Sequence, residues 1–189
     1  MIITLSGAAG SGKSTIAQML ADKLAWPRYY MGGLRRETAR KKGMTLADYN
    51  KLGEEDESTD KEVDYYQKDL GLKEDNFIIE GRTSWYFIPH SLKIYLDVSL
   101  EEGARRIFSS LQEDNNRNEA DGLDTLKKVE ESMIERKESD RKRYQKYYNI
   151  DVYNKDHYDF YLDTTDMSRN EVFETIYEYV LSSLDNDKK

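Results

Sequence analysis

Ile2-Ile3-Thr4-Leu5 is a short apolar run that stops at Ser6-Gly7, and from Lys13 onward Ile16, Met19, Leu20 and Leu24 recur at helical spacing. Between the two lies Gly7-Ala8-Ala9-Gly10-Ser11-Gly12-Lys13-Ser14, which satisfies G-x-x-x-x-G-K-[ST]. The order strand, glycine-rich loop, helix gives the pattern its meaning. Glycines let successive backbone N–H groups turn inward on an anion. The helix adds the positive end of its dipole. A turn that merely joins a strand to a helix needs neither a lysine nor a hydroxyl at this spacing. The segment therefore reads as a phosphate-binding loop, with Gly7 through Thr15 around the phosphates of ATP. Lys13 is expected at the β- and γ-phosphates and the Ser14 hydroxyl on Mg²⁺.

Further strands are expected at Tyr29-Tyr30, Phe77 to Glu80, Leu92 to Val98 and Tyr158 to Leu162. Helices are expected over Lys13 to Ala25, with Pro27 beyond the end, and over Leu100 to Leu111 and Leu123 to Tyr148. Gly33 to Leu72 reads as charged helices, with Thr45 capping one and Thr59 with Glu62 forming a capping box on another. Ser168 and Glu171 form a second box opening a terminal helix to about Leu184, and 185–189 reads as a frayed tail. Asp114 to Asp124, rich in Asn, reads as a loop. Strands alternating with helices predict an α/β domain with a parallel sheet covered on both faces. Two charged helical stretches exceed a minimal alternation. One domain over 1–189 is expected, with a core of 1–32, 73–111 and 149–184, an acceptor-binding insertion at about 33–72 and a lid at about 112–148.

Composition narrows the partners. The chain has 189 residues and a formal net charge of −8, which disfavours a nucleic-acid polymer as the main ligand. It has no cysteine, so disulfides, thiolate nucleophiles and thiolate-bound zinc are excluded. No apolar run approaches a membrane span and no signal peptide is read. A soluble, cytoplasmic monomer acting on small molecules is expected. Guanine-specific switch motifs are missing: Asn154-Lys155-Asp156-His157 misses N-K-x-D by one position, and no glycine has Asp three residues before it.

The second substrate must be read from the remaining basic residues. Glu80-Gly81-Arg82 follows the strand at Phe77, where a parallel sheet presents ligand-binding side chains. Glu80 would hold Mg²⁺ through water, and Arg82 would clamp an acceptor phosphate in two-pronged fashion. A turn carboxylate and an ordinary ion pair are the plain alternatives. Arg136, Asp140 and Arg143 fall on one helix face at i, i+4 and i+7, so Asp140 is expected to pair with both arginines. A solvated charged helix would look similar, but this basic excess lies in an insertion of an acidic chain. Arg35-Arg36 opens a helix whose dipole disfavours them unless an anion is near. A phosphate oxygen is already nucleophilic and needs no general base, so these arginines favour a phosphorylated acceptor.

With these residues in place the chain resembles the cytidylate kinase family of nucleoside monophosphate kinases, in its compact archaeal-type branch. The resemblance rests on Ser6 to Ser14, Gly32-Gly33-Leu34-Arg35-Arg36, Asp60, Asp64 and Gln67, Glu80-Gly81-Arg82, and Arg136 to Arg143. It implies a three-layer fold around a five-stranded parallel sheet, with an acceptor-binding insertion and a lid. It further implies Arg36 and Arg82 on the acceptor phosphate, Asp64 and Gln67 in the acceptor site, Arg136 and Arg143 at the reaction centre, Asp140 tying lid to acceptor domain, and Arg106 near the ATP. The implied reaction is ATP-dependent phosphorylation of CMP or dCMP. A kinase for another nucleotide or small anionic metabolite, or a nucleotide-dependent switch without catalysis, remains the alternative. The family often carries Asp after Gly-Arg, where this chain has Thr83, and the loop from Glu113 to Asp124 is longer and richer in Asn.

Overall fold

A computed structural model describes residues 1–112 and 119–186. Five parallel strands form one sheet in the order β2-β3-β1-β4-β5. They are β1 (Ile2–Gly7), β2 (Arg28–Tyr30), β3 (Phe77–Glu80), β4 (Leu92–Asp97) and β5 (Phe160–Asp163). The helices are α1 (Lys13–Leu24), α2 (Met31–Lys41), α3 (Leu46–Gly53), α4 (Ser58–Lys73), α5 (Ser84–Phe87), α6 (Leu100–Leu111), α7 (Leu126–Tyr148) and α8 (Arg169–Asn186).

The sheet is central because β1 is buried along its whole length, as expected for a parallel strand covered on both faces. Side chains of a strand alternate between faces. Ile3, Leu5 and Ile78 pack with Ile16 and Leu20 of α1 and with Val172, Ile176 and Val180 of α8. Ile2, Phe77 and Ile79 pack on the other side with Val63 and Leu70 of α4 and with Ile88. Thr4 makes a buried hydroxyl contact with Ser91 at 3.1 Å. Helices α2, α3 and α4 lie in sequence between β2 and β3. Helix α7 rests on α3: Tyr147 donates to the Gly53 carbonyl at 2.8 Å and Ser139 to the Asn50 carbonyl at 3.3 Å.

Local chemistry set most boundaries. Ala25, at φ 54°, ends α1 just ahead of Pro27. Thr45 caps α3 through the Asp48 amide, and Ser168 and Glu171 form the expected reciprocal box at α8. Four expectations are corrected. Thr59 and Glu62 form no capping box: the Thr59 hydroxyl donates to the Asp56 carbonyl, and α4 begins one residue earlier, at Ser58, whose amide donates to the Asp56 carboxylate. Helix α7 begins at Leu126 because Thr125 accepts from the Lys128 amide. The last strand is shifted to Phe160–Asp163 by a short 3-10 turn at Lys155–His157 capped by Asn154. Helix α5 was not expected, being only four residues long. Much of the Asn-rich loop, and the last three residues of the expected tail, lie outside the described residues.

Candidate functional site

The phosphate-loop glycines have different jobs. Gly7, Gly10 and Gly12 all have positive φ, at 144°, 79° and 84°. A Cβ on Gly7 would lie 2.0 Å from the Leu96 carbonyl oxygen, so Gly7 lets the loop leave the sheet against β4. A Cβ on Gly10 would lie 2.4 Å from the Gly103 carbonyl oxygen, where the loop presses on α6. Gly12 caps α1 with no side-chain hydrogen bond, and a Cβ there would meet nothing within 4 Å. The N-terminal amides of α1 are thus left without a side-chain cap, in a backbone shape glycine adopts at low cost. Lys13 folds over the loop, with Nζ donating to the Ala8 carbonyl at 2.5 Å and to Ser11 Oγ at 3.3 Å.

Ser14 Oγ donates to Glu80 Oε2 at 2.6 Å, while Arg28 Nε holds the other oxygen, Oε1, at 2.7 Å. A hydroxyl and a carboxylate oxygen therefore converge beside the cradle. Such a hard, all-oxygen pair suits Mg²⁺, which keeps several waters and takes only one or two protein ligands alongside substrate phosphates. No group of three or more metal-binding acidic or imidazole side chains occurs among the described residues.

The loop opens onto a cleft of about 570 Å³. Its walls bring together Ala9 to Thr15, Arg36, Asp64, Glu80, Arg82, Arg106, Arg136, Asp140 and Arg143. Of the residues singled out from the sequence, Gly7, Ala8 and Gln67 do not line it. Gln67 is fully buried behind the wall: its Nε2 donates to Asp64 Oδ1 at 3.0 Å and Thr83 Oγ1 at 2.9 Å, and its Oε1 accepts from Ser84 at 2.8 Å. Arg106 bonds Glu102 at 2.7 Å and the Thr164 carbonyl at 2.8 Å, bridging α6 to the segment after β5.

Along the same cleft, the arginines form a buried network of alternating charge. Arg35 and Arg143 share Asp60; Arg143 and Arg82 share Asp140. Four chain segments are linked this way: α2, α4, α7 and the turn after β3. One sequence expectation is corrected here. Asp140 pairs with Arg143 but not with Arg136, because Arg82 takes its second oxygen and Tyr153 donates to that oxygen at 2.9 Å. Arg136 pairs instead with Glu119 at 3.0 Å. Burial pushes the Asp140 carboxyl up, but Arg82, Arg143 and Arg136 outweigh it and hold it below the ordinary range. Burial also lowers Arg136, and Glu119 only partly restores it.

The network is not internally saturated. Nη2 of Arg35 and Nε of Arg36, Arg136 and Arg143 are buried without a hydrogen-bond partner. Buried donors are rarely left so, and four guanidinium donors around one cleft fit an anionic ligand with several oxygens. Sequence reasoning found Arg36, Arg82, Arg136 and Arg143. It missed Glu119 and Tyr153, which carry no motif and meet the cleft's arginines and Asp140 only through the fold.

At the far end of the cleft Asp64 accepts from Gln67, from Thr83 at 3.3 Å and from the Tyr148 hydroxyl. Burial raises its carboxyl to about 6, against the lowering effect of the Tyr148 hydroxyl. An aspartate in the unfolded chain titrates near 3.8, so between these values the folded state holds more protons. The stability Asp64 contributes is therefore full at low pH and is lost as pH rises through that window. Relative to Asp64→Asn, the wild type should lose about 2–3 kcal/mol of unfolding free energy between pH 4 and 7. Urea titrations of both proteins across that range measure the difference, and a difference that stays flat or grows with pH contradicts the assignment.

Comparison with known proteins places this chain in a family. The sequence model described as "Cytidylate kinase-like family" matches residues 2–166. A cytidylate kinase of Methanobrevibacter smithii is 36% identical over 164 residues, 87% of this chain and 89% of that protein. One of Methanocaldococcus jannaschii is 34% identical over the full length of both chains. The fold also resembles a shikimate kinase from Bacteroides thetaiotaomicron, with a TM-score of 0.63 over 98% of both chains at 14% identity. The sequence match runs through both the phosphate loop and the arginine-bearing α7, and on that footing the chain belongs to the cytidylate kinase-like family.

Proposed function

We propose that this chain transfers the γ-phosphoryl group of ATP to CMP, and also to dCMP, giving ADP and the cytidine diphosphate. The observation that carries this reading is that arginines with unmatched donors line the same cleft as the phosphate loop. A loop for one polyphosphate and an arginine cluster for a second phosphate suit two anions brought together. Several arginines also offset the repulsion between them.

In this reading the amides from Gly10 to Ser14, with Lys13, hold the β- and γ-phosphates. Ser14 and Glu80 are the residues that would hold Mg²⁺, with Arg28 fixing the Glu80 carboxylate. When bound, Mg²⁺ would supply positive charge against the developing phosphate charge. Arg36 and Arg82 orient the acceptor phosphate so that one of its oxygens faces the γ-phosphorus. That oxygen forms the new P–O bond as the bond from the γ-phosphorus to the β–γ bridging oxygen breaks, and the electron pair leaves with ADP. Arg136 and Arg143, carried on α7, stabilise charge on the transferring group. Arg106 lies where α6 meets the segment after β5 and borders the ATP site. No proton transfer is needed, which agrees with a cleft whose carboxylates, Asp64 apart, are engaged by arginines.

The base is read by Asp64 and the residues that hold it. An ionised carboxylate accepts from the exocyclic amine of cytosine, whereas uracil presents a carbonyl there. Thr83, standing where relatives often carry Asp, donates to Asp64. Its neighbour Asp64 thus supplies the carboxylate that Thr83 lacks.

The acceptor-binding insertion spans about 33–72 and the lid about 112–148, and closing of the two would exclude water from the transfer. The chain acts as a monomer in the cytoplasm. The described residues contain no helix long and apolar enough to cross a membrane.

A coupled ADP-release assay with Mg-ATP against CMP, dCMP, UMP and AMP tests this. Turnover is expected with CMP and dCMP, and weaker turnover with UMP and AMP. No turnover with any of them removes the reading. ATP binding without monophosphate binding in a thermal-shift screen would favour a nucleotide-dependent switch, and turnover confined to another anionic metabolite would favour a different kinase.

A further inference from the structure

Glu119 belongs to no motif, yet its carboxylate sits between two arginines at the acceptor end of the cleft. Oε1 accepts from Arg36 Nη2 at 2.7 Å and Oε2 from Arg136 Nη1 at 3.0 Å. Its side chain is only 10% exposed. Its backbone carbonyl accepts from the Ala47 amide at 3.0 Å, which pins the residue to the start of α3. Arg36 lies in the segment before β3 and Arg136 on α7, so the carboxylate spans the two sides of the cleft.

A carboxylate that takes one N–H on each oxygen from two guanidinium groups presents what two oxygens of a phosphate would present. It has fewer oxygens and less charge than a phosphate monoester, which carries about −1.5 to −2 near neutral pH and three terminal oxygens. The difference is visible at both arginines, since Nε of Arg36 and Nε of Arg136 stay buried without a partner while Glu119 is in place. The arginine pair therefore has donor capacity that Glu119 does not fill.

We propose that Glu119 is an internal stand-in for the acceptor's phosphate, so that an acceptor binds only by displacing it and must carry enough charge to do so. The inference rests on the monophosphate kinase reading above. Displacement trades a monoanion with two acceptor oxygens for a dianion with three, so a phosphate monoester wins the exchange. A neutral nucleoside or a singly charged acid does not. Apparent acceptor affinity is then the intrinsic affinity reduced by the fraction of arginine pairs that are free. Glu119 also keeps two buried cations paired when no acceptor is bound, avoiding the cost of unpaired buried charge.

Glu119→Gln keeps the shape and removes the competing charge. If Glu119 occupies the pair roughly 80–90% of the time, the variant should show a KM for CMP about five- to tenfold lower, with kcat within about twofold of the wild type. Inorganic sulfate, used as a phosphate probe in thermal-shift titrations, should bind the variant more tightly by the same factor. In the wild type, the carboxyl ¹³C resonance of Glu119 should move toward that of a solvated carboxylate when sulfate or CMP is added. A folded variant with unchanged or raised KM and unchanged sulfate affinity overturns the proposal. If the variant does not fold, the wild-type resonance decides: movement supports the exchange and an unmoved signal overturns it. If wild-type protein phosphorylates no monophosphate, the kinase reading fails on its own, while the sulfate measurements still test the exchange at Glu119.

Discussion

Replacing Lys13 with methionine should lower kcat by at least about a thousandfold, equivalent to about 4 kcal/mol of transition-state stabilisation. Lys13 already spans the loop, reaching the Ala8 carbonyl and the Ser11 hydroxyl. Its ammonium group lies within the curve of backbone that would hold the β- and γ-phosphates. Methionine keeps most of the apolar stem and deletes the charge. The loss should therefore fall on catalysis, because charge accumulates on the transferring and leaving oxygens as the bond breaks. Stability should change less than turnover, since Lys13 is only part-buried. A coupled ADP-release assay gives kcat, and thermal unfolding checks the fold. A folded variant that keeps more than about a tenth of wild-type turnover would mean that the loop does not hold the reacting phosphates.

Asp140→Asn should be the most damaging single change to the fold among the cleft residues. Asp140 is 2% exposed and joins Arg82 to Arg143, while Tyr153 donates to the same oxygen as Arg82. Arg143 itself is 1% exposed and depends on Asp60 and Asp140 for compensation. Removing one partner of a buried pair leaves uncompensated charge, which costs about 3–5 kcal/mol. In a domain of this size that corresponds to a fall in Tm of roughly 6–20 °C. Turnover should fall as well, because Arg82 and Arg143 lose the group that fixes their orientation. Calorimetry on both proteins measures the first effect. A shift below about 2 °C would mean that the network is hydrated and its charges are screened.

The phosphate loop was legible because its constraints are local. Glycine spacing, the preceding apolar strand and the following helix all lie within a dozen residues. The capping box at Ser168 and Glu171 and the ends of α6 were readable for the same reason. Thr59 misled because its sequence context matches a capping box, while Asp56, three residues earlier, captured its hydroxyl. The arginines were legible as an excess of charge in an acidic chain, but their partners were not. Helical spacing put Arg136, Asp140 and Arg143 on one face, and that part holds. Which arginine Asp140 chooses depends on Arg82, 58 positions away in the chain, arriving at the same carboxylate.

What the sequence determined by itself was the phosphate cradle, the alternation of strands and helices, and the basic residues available to a second anion. Each follows from backbone preference or side-chain chemistry within one or two turns of chain. Only the tertiary structure decided the pairing. It buried Gln67 behind the wall, set Tyr153 on Asp140 and carried the Glu119 carboxylate between Arg36 and Arg136. Buried charges must find compensation, and the nearest opposite charge is a matter of three-dimensional packing, which spacing along the chain does not encode.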